Sequence, residues 1–158
     1  MVQLTPAMRA LVDRQRLAFV ATVDPDGTPH VAPQGTLAVW TDATLVFADV
    51  ASPGTVRNLL ENPVCEISVV DPWARKGYRF RGRARLLVLG PTFDRLLDFY
   101  RRRHVDVPVH HMVLVDVEEA SPVVSPVYEF GWSEPQVRER WRAYWRRESA
   151  RKRRRPPS

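Results

Sequence analysis

Between Tyr78 and Leu89 the chain alternates with a period of two. Tyr78, Phe80, Gly82 and Ala84 fall on one side, and Arg79, Arg81, Arg83 and Arg85 on the other. Successive Cβ atoms of a strand point to opposite faces of a sheet, so an extended conformation separates these sets cleanly. The run predicts the longest strand of the chain, with one apolar face and four guanidinium groups on the other.

Shorter strands surround it. Leu17 to Val23 is apolar and ends at Asp24-Pro25-Asp26-Gly27, a strong turn signal. Val31, Leu37 to Trp40 and Thr44 to Ala48 read as further short strands, with Thr41-Asp42-Ala43 as a tight connection. Val64 to Val70 puts Cys65, Ile67 and Val69 on one face, and the loop Asp71 to Gly77 follows. Met112 to Val117 and Val123 to Tyr128 supply the last strands. Helices are predicted after Thr5-Pro6, from Ser52-Pro53 to the Asn62-Pro63 stop with Ser52 as N-cap, and from Phe93 to Arg103. Many short strands with a few peripheral helices point to a mainly β fold, a small barrel or open barrel.

The chain's 158 residues suit one domain. No apolar stretch approaches the roughly 20 residues of a membrane-spanning helix, and Met1 to Pro6 has neither the basic flank nor the apolar run of a secretory signal. The single cysteine, Cys65, lies in an apolar run and is expected to be a buried, inert thiol suited to a reducing compartment. A cytoplasmic location without membrane contact is therefore expected.

The net charge of +6 is unevenly spread. From Gln136 to Ser158 ten Arg or Lys face only Glu139 and Glu148, a local balance of +8, which leaves −2 for residues 1–135. The chain thus divides into a near-neutral body, residues 1–130, and a basic C-terminal segment, residues 131–158. That segment is predicted to be helical to about Arg147, with Val137, Trp141, Tyr144 and Trp145 on a face that docks on the barrel. The stretch from Arg151 to Pro157 is expected to be mobile. The body offers no nucleic-acid-binding module, so a nucleic-acid partner is the least favoured reading.

Self-contained catalytic signatures are missing. His30, His104, His110 and His111 show no metal-ligand spacing and read as loop or surface histidines, and no metal is expected. There is no nucleophile elbow, glycine-rich phosphate loop or dinucleotide fingerprint. What remains is a set of hydroxyl and basic groups at strand ends: the Ser52 to Thr55 helix start, Arg75-Lys76, and the arginine stripe. Each could hold a phosphate, though a helix-start serine is more often a cap and an arginine stripe more often a solvated or ion-paired face.

The order of segments resembles a known family. Leu17 to Val31 with its Asp-Pro-Asp-Gly turn, Ala32-Pro33-Gln34-Gly35, Leu45 to Asp49, Ser52-Pro53-Gly54-Thr55, Asn58-Leu59, Glu61-Asn62-Pro63, Val69 to Pro72 and Arg75 to Gly82 are together similar to the pyridoxamine 5′-phosphate oxidase-like, FMN-binding split-barrel family. The resemblance covers roughly Thr5 to Leu89. It implies a homodimer of six-stranded split barrels with FMN in the dimer groove. By position, Pro33, Gln34, Gly35, Thr36, Ala48, Asp49, Ser52, Thr55 and Asn58 would surround the phosphate and ring edge. Trp73, Arg75, Lys76 and Arg79 would come from the same or the partner subunit.

Two departures shape the functional expectation. Gln34 stands where such proteins commonly carry lysine, which removes a cation that Arg57 or Lys76 would have to replace. The C-terminal arginine-containing segment with which true pyridoxamine phosphate oxidases hold their substrate has no counterpart, so vitamin B6 oxidation is not expected. The leading expectation is an FMN-dependent oxidoreductase of undefined substrate, with a nicotinamide or deazaflavin electron donor. The flavin would carry the redox chemistry, so no acid–base dyad is required and no catalytic residue is assigned. The alternative is a flavin carrier or sensor with no substrate of its own.

Overall fold

A computed structural model describes residues 1–105 and 108–153. Its elements are α1 (Pro6–Gln15), β1 (Ala18–Val23), β2 (Pro29–Gln34), β3 (Ala38–Val39), β4 (Thr44–Asp49), α2 (Pro53–Glu61), β5 (Val64–Asp71), β6 (Lys76–Leu87), α3 (Pro91–Arg102), β7 (His111–Val124), a 3-10 turn (Pro126–Phe130) and α4 (Glu134–Arg153). The strands form one antiparallel sheet in the order β2-β1-β5-β6-β7-β4-β3. Seven strands are present where six were expected, the two-residue β3 forming one edge.

β6 is built as its alternation demands. Phe80, Gly82 and Ala84 are buried, while Arg79, Arg81, Arg83 and Arg85 are exposed. The guanidinium groups meet carboxylates on both neighbouring strands: Arg81 bridges Glu66 of β5 and Glu119 of β7, each at 3.2 Å, and Arg85 reaches Asp116 at 3.0 Å. Such exposed pairs each contribute at most about 1 kcal/mol, so they set register more than stability. Among the described residues Arg83 has no carboxylate partner.

Met112 to Val117 and Val123-Val124 belong to one strand. β7 stays paired with β6 through a register shift at Arg81/Gly82, and a side chain at Gly82 would meet the Asp116 carbonyl at 2.2 Å. The expected strand to Tyr128 fails at Pro126, which has no N–H to continue the ladder. There the chain turns into the 3-10 helix, whose Val127 N–H donates to Ser125 Oγ.

The core has two sides. Val20, Phe47, Ile67, Phe80 and Val115 fill the barrel with Leu11 and Val12 of α1. On the opposite side of β4 and β7, Leu96 and Tyr100 of α3 pack against Val46, Ala48, Met112 and Leu114. All six residues of β4 are therefore buried, which explains its unbroken apolar run. Cys65 is buried, and burial pushes its thiol up to about 12. Among the described residues no helix is long and apolar enough to cross a membrane.

α4 runs to Arg153, beyond the expected end near Arg147. Its sequence has no breaker, and Arg146–Glu139 and Arg151–Glu148 pairs tie its turns together. The mobility expected of residues 151–157 is not met at Arg151, which is helical. Residues 154–157 lie outside the described residues.

Candidate functional site

The first group of candidate residues gathers where β2, β4 and α2 meet. Gln34, buried at the end of β2, donates from Nε2 to Ser52 Oγ at 3.1 Å. The Ser52 N–H donates to Asp49 Oδ1 at 2.8 Å, and Asp49 Oδ2 lies 3.1 Å from His111 Nδ1. Four residues from three segments, the end of β2, the β4–α2 connection and the start of β7, thus form one hydrogen-bonded chain. Ser52 occupies the N-cap position of α2, but its side chain makes no cap bond and its oxygen accepts from Gln34.

Behind this chain stands a second one. Asn58 Nδ2 donates to Thr22 Oγ1 at 3.0 Å, and that hydroxyl lies 3.3 Å from His30 Nδ1. The imidazole of His30 covers Gly54, where an added Cβ would come within 3.0 Å of Nε2. Thr55 and Asn58 are fully buried, yet Thr55 Oγ1 and Asn58 Oδ1 have no hydrogen-bond partner. An unpaired buried oxygen costs about 1–3 kcal/mol. Together with the N-terminus of α2, where Gly54 and Thr55 present N–H groups, these atoms make a region suited to an oxygen-rich or anionic ligand.

The Gly35-Thr36 turn is held from the other side. Thr36 Oγ1 donates to the Ala48 carbonyl and accepts from its N–H, both at 2.9 Å, which joins the end of β2 to β4. The Tyr100 hydroxyl lies 2.9 Å from the Thr36 carbonyl, and burial pushes its pKa up. A small cavity of about 40 Å³ at this turn is lined by Arg16 and Arg103 as well as Gly35, Thr36 and Tyr100. Pro33 is placed differently: it is exposed on the outer face of the sheet, opposite Phe19.

The second group lies at the β5–β6 hairpin and is taken up by α4. The segment is a tight turn, with Lys76 already in β6 and Asp71 organising the residues between. Asp71 Oδ1 accepts from the N–H groups of Trp73 and Ala74, and the Asp71 carbonyl accepts from Arg75 N–H. Gly77 is required by β5 itself, since a Cβ there would lie 2.0 Å from the Val69 carbonyl oxygen. Its close approach is to the neighbouring strand.

Arg75, at φ +56°, stacks its guanidinium 3.5 Å from the Trp141 ring. Lys76 Nζ pairs with Glu134 at 3.2 Å and sits 4.1 Å from the Tyr128 ring. Arg138 bridges Asp71 at 2.9 Å and Glu134 at 2.8 Å. Burial opposes the Asp71 carboxylate, but the Ala74 N–H, Arg138 and the Trp73 N–H overcome it and hold its carboxyl below the ordinary range. Hydrogen bonds from Arg138 and then Lys76 do the same for Glu134. Arg79 faces Glu66 at 3.8 Å on the outer sheet face.

Among the described residues of one chain, no hydrogen bond or ion pair joins Trp73, Arg75, Lys76 or Arg79 to the first group. Neither proposed substitute for the lysine missing at Gln34 is free: Lys76 is held by Glu134, and Arg57 pairs with Asp24 at 3.2 Å. The basic groups beside Gly35-Thr36 are Arg16 and Arg103, the latter paired with Asp13 at 3.4 Å. Sequence reasoning passed over them and over His30 and His111, which stand in ordered polar chains. The only sequence signal was position: Arg16 and Arg103 each directly follow a helix, and His111 opens a strand.

Comparison with known proteins agrees with this architecture. The family model described as pyridoxamine 5′-phosphate oxidase matches residues 4–125. HupZ from Group A Streptococcus is 30% identical, covering 79% of this chain and 96% of that one with a TM-score of 0.70. An F420 reductase is 25% identical, covering 74% and 98% with a TM-score of 0.59. An FMN-binding protein from Syntrophomonas wolfei subsp. wolfei is 20% identical, covering 75% and 84% with a TM-score of 0.64, a likeness of fold. Comparison with curated protein sequences finds no match. With the family matched over most of its length and the barrel, hairpin and α2 in place, the chain belongs to the pyridoxamine 5′-phosphate oxidase family.

Proposed function

We propose that this protein binds FMN and acts as a flavin-dependent oxidoreductase in the cytoplasm. The observation that carries the reading is the polar cluster of Gln34, Asp49 and Ser52 at the start of α2, with two fully buried, unpartnered oxygens, Thr55 Oγ1 and Asn58 Oδ1, beside it. The family and the names of an FMN-binding protein and an F420 reductase among the structural neighbours support it.

The residues fit such a group. The α2 N–H groups and the Ser52 and Thr55 hydroxyls would hold phosphate oxygens, with Arg16 and Arg103 as the nearby cations. The Gly35-Thr36 turn, pinned by Ala48 and Tyr100, would present backbone atoms at a fixed position. Bound FMN would supply hydride or electron transfer, which the side chains here cannot. Asp49, itself held by the Ser52 N–H, orients the His111 ring through Nδ1.

The functional unit in this reading is a homodimer. Pro33, Phe19 and Val31 form an apolar patch on the outer sheet face beside the arginine stripe, and Phe19 and Val31 are 51% and 59% exposed. A second subunit covering this face would also decide whether Trp73, Arg75, Lys76 and Arg79 reach a partner's flavin.

The test is the visible spectrum of the purified protein, followed by titration with FMN and riboflavin. Flavin absorption and FMN affinity above that for riboflavin are expected; a colourless protein that ignores both would overturn the reading. Arg75→Ala and Lys76→Ala, titrated the same way, decide whether the hairpin belongs to the site. Light scattering with FMN present should report a dimer. Anaerobic reduction of bound flavin by nicotinamide or deazaflavin donors separates an oxidoreductase from a carrier or sensor.

A further inference from the structure

The docking of α4 is incomplete in a way that defines a second surface. Val137 is buried, Arg138 reaches Asp71, and Trp141 gives one ring face to Arg75. Beyond that point the helix carries large rings that are not buried: Tyr144 is 41% and Trp145 46% exposed. They form an edge-to-face series, with Trp141 and Tyr144 centroids 5.6 Å apart and Tyr144 and Trp145 5.3 Å apart.

Each side of this ridge is a groove walled by rings and guanidinium groups. One, of about 500 Å³, lies between Trp73 of the hairpin and Trp145, with Arg142 and Arg146. The other, of about 560 Å³, is lined by Trp141, Tyr144, Arg140 and Arg147. The helix acids neutralise Arg138, Arg146 and Arg151, whereas among the described residues Arg140, Arg142 and Arg147 have no carboxylate partner.

We propose that α4 and the Trp73 hairpin form a binding surface for single-stranded nucleic acid. A balance of +8 over residues 136–158, against −2 elsewhere, calls for a polyanion. Rings interleaved with unpaired guanidinium groups call for a polyanion whose units carry flat faces, because stacking on Trp and Tyr is what an unpaired base gains and a sulfated polysaccharide lacks. Duplex DNA hides its base faces, so the ring-walled grooves offer it only charge. An anionic membrane would favour one continuous apolar face lying in the interface, whereas here the rings alternate with arginines on both sides of the helix.

The probe is fluorescein-labelled dT20, measured by anisotropy with the full chain at several salt concentrations. Binding should weaken steeply with salt. Trp145→Ala and Tyr144→Ala, neither of which enters the α4 clamp, should each weaken dT20 binding about tenfold, since a stacked base contributes roughly 1–3 kcal/mol. Arg142→Ala should lower the salt slope by about 0.7, the value for one single-strand phosphate. Unchanged melting temperatures confirm that the variants fold.

The proposal is overturned if dT20 does not bind or if a 20-base-pair duplex binds as tightly. It is equally overturned if the Trp145 and Tyr144 variants bind dT20 like the parent, which would leave charge alone. Phosphatidylserine vesicles bound in preference to dT20 would assign the helix to a membrane surface instead. None of these outcomes depends on flavin binding.

Discussion

The α2 end of the barrel and the α4 clamp are both polar assemblies on the same scaffold, but they are held by different forces. At α2 the participants are mostly uncharged, buried and satisfied by hydroxyls, amides and backbone groups: Gln34 with Ser52, Thr36 with Ala48, Asn58 with Thr22. At the clamp they are charged and half-exposed, centred on the 5%-exposed carboxylate of Asp71 with Arg138, and on Glu134 with Arg138 and Lys76. The first assembly is part of barrel closure and retains unpaired oxygens. The second fastens a terminal helix by pairing Arg138 and Lys76 with carboxylates, while Arg75 is held by stacking on Trp141 and keeps a buried, unpartnered Nε. A ligand site needs unspent hydrogen-bonding capacity, which at α2 takes the form of the two buried oxygens and at the hairpin of the single Arg75 Nε.

The largest expected effect tests whether the hairpin is held by the sheet or by α4. Gly77→Ala places a methyl group 2.0 Å from the Val69 carbonyl oxygen and must break the β5–β6 register. It should destabilise the protein by about 3 kcal/mol or more, whereas Gly35→Ala, with no atom within 4 Å of its added Cβ, should leave stability unchanged. Thermal melts that show the two variants alike would remove the sheet from the account.

Next comes the clamp. Asp71→Asn keeps an acceptor for the turn N–H groups but removes the charge facing Arg138, at a cost of about 2 kcal/mol once partial exposure of the arginine is allowed for. The pH dependence follows from the same group. Folded Asp71 and Glu134 hold protons less tightly than their unfolded counterparts, so the unfolded state takes up more protons as pH falls. Their stabilisation is complete above the unfolded carboxyl range, near pH 4, and is lost as pH drops through the lower folded values. Denaturant titrations below pH 4 should show the parent converging on Asp71→Asn; parallel curves would mean that the clamp contributes no acid sensitivity.

Tyr100→Phe probes the α2 side with a smaller change. Loss of the hydroxyl beside the Thr36 and Val46 carbonyls should cost about 1–2 kcal/mol. It should also loosen the Gly35-Thr36 turn and lower FMN affinity severalfold while leaving dT20 binding untouched. Equal loss of both affinities would show that the two regions are not independent.

The smallest effect on stability is the sharpest on function. Thr55→Val replaces an unpaired hydroxyl by a methyl group of similar shape, so apo stability should change by less than about 0.5 kcal/mol or rise. If Thr55 Oγ1 holds the phosphate, FMN affinity falls about tenfold while riboflavin affinity stays. A variant that binds FMN like the parent removes Thr55 from the site.

The sequence by itself determined the family and most of the strands, but not that Met112 to Val124 is one strand ending before Pro126. Period-two alternation on β6, the Asp24 to Gly27 turn and the Pro53 helix start are local signals, and each acts through backbone geometry that the residues themselves impose. The resemblance also named Gln34, Asp49, Ser52 and Asn58, of which the structure joins the first three by hydrogen bonds and puts the fourth on α2. Tertiary structure alone decided three things. It brought Gln34 to Ser52 Oγ across eighteen positions. It gave His111 a carboxylate partner from a strand sixty-two positions earlier. It also assigned Arg75 and Lys76 to α4 in the single chain. A side chain's propensity is written at its own position, but the partner that exhausts its hydrogen bonds or charge comes from wherever barrel closure brings the chain back.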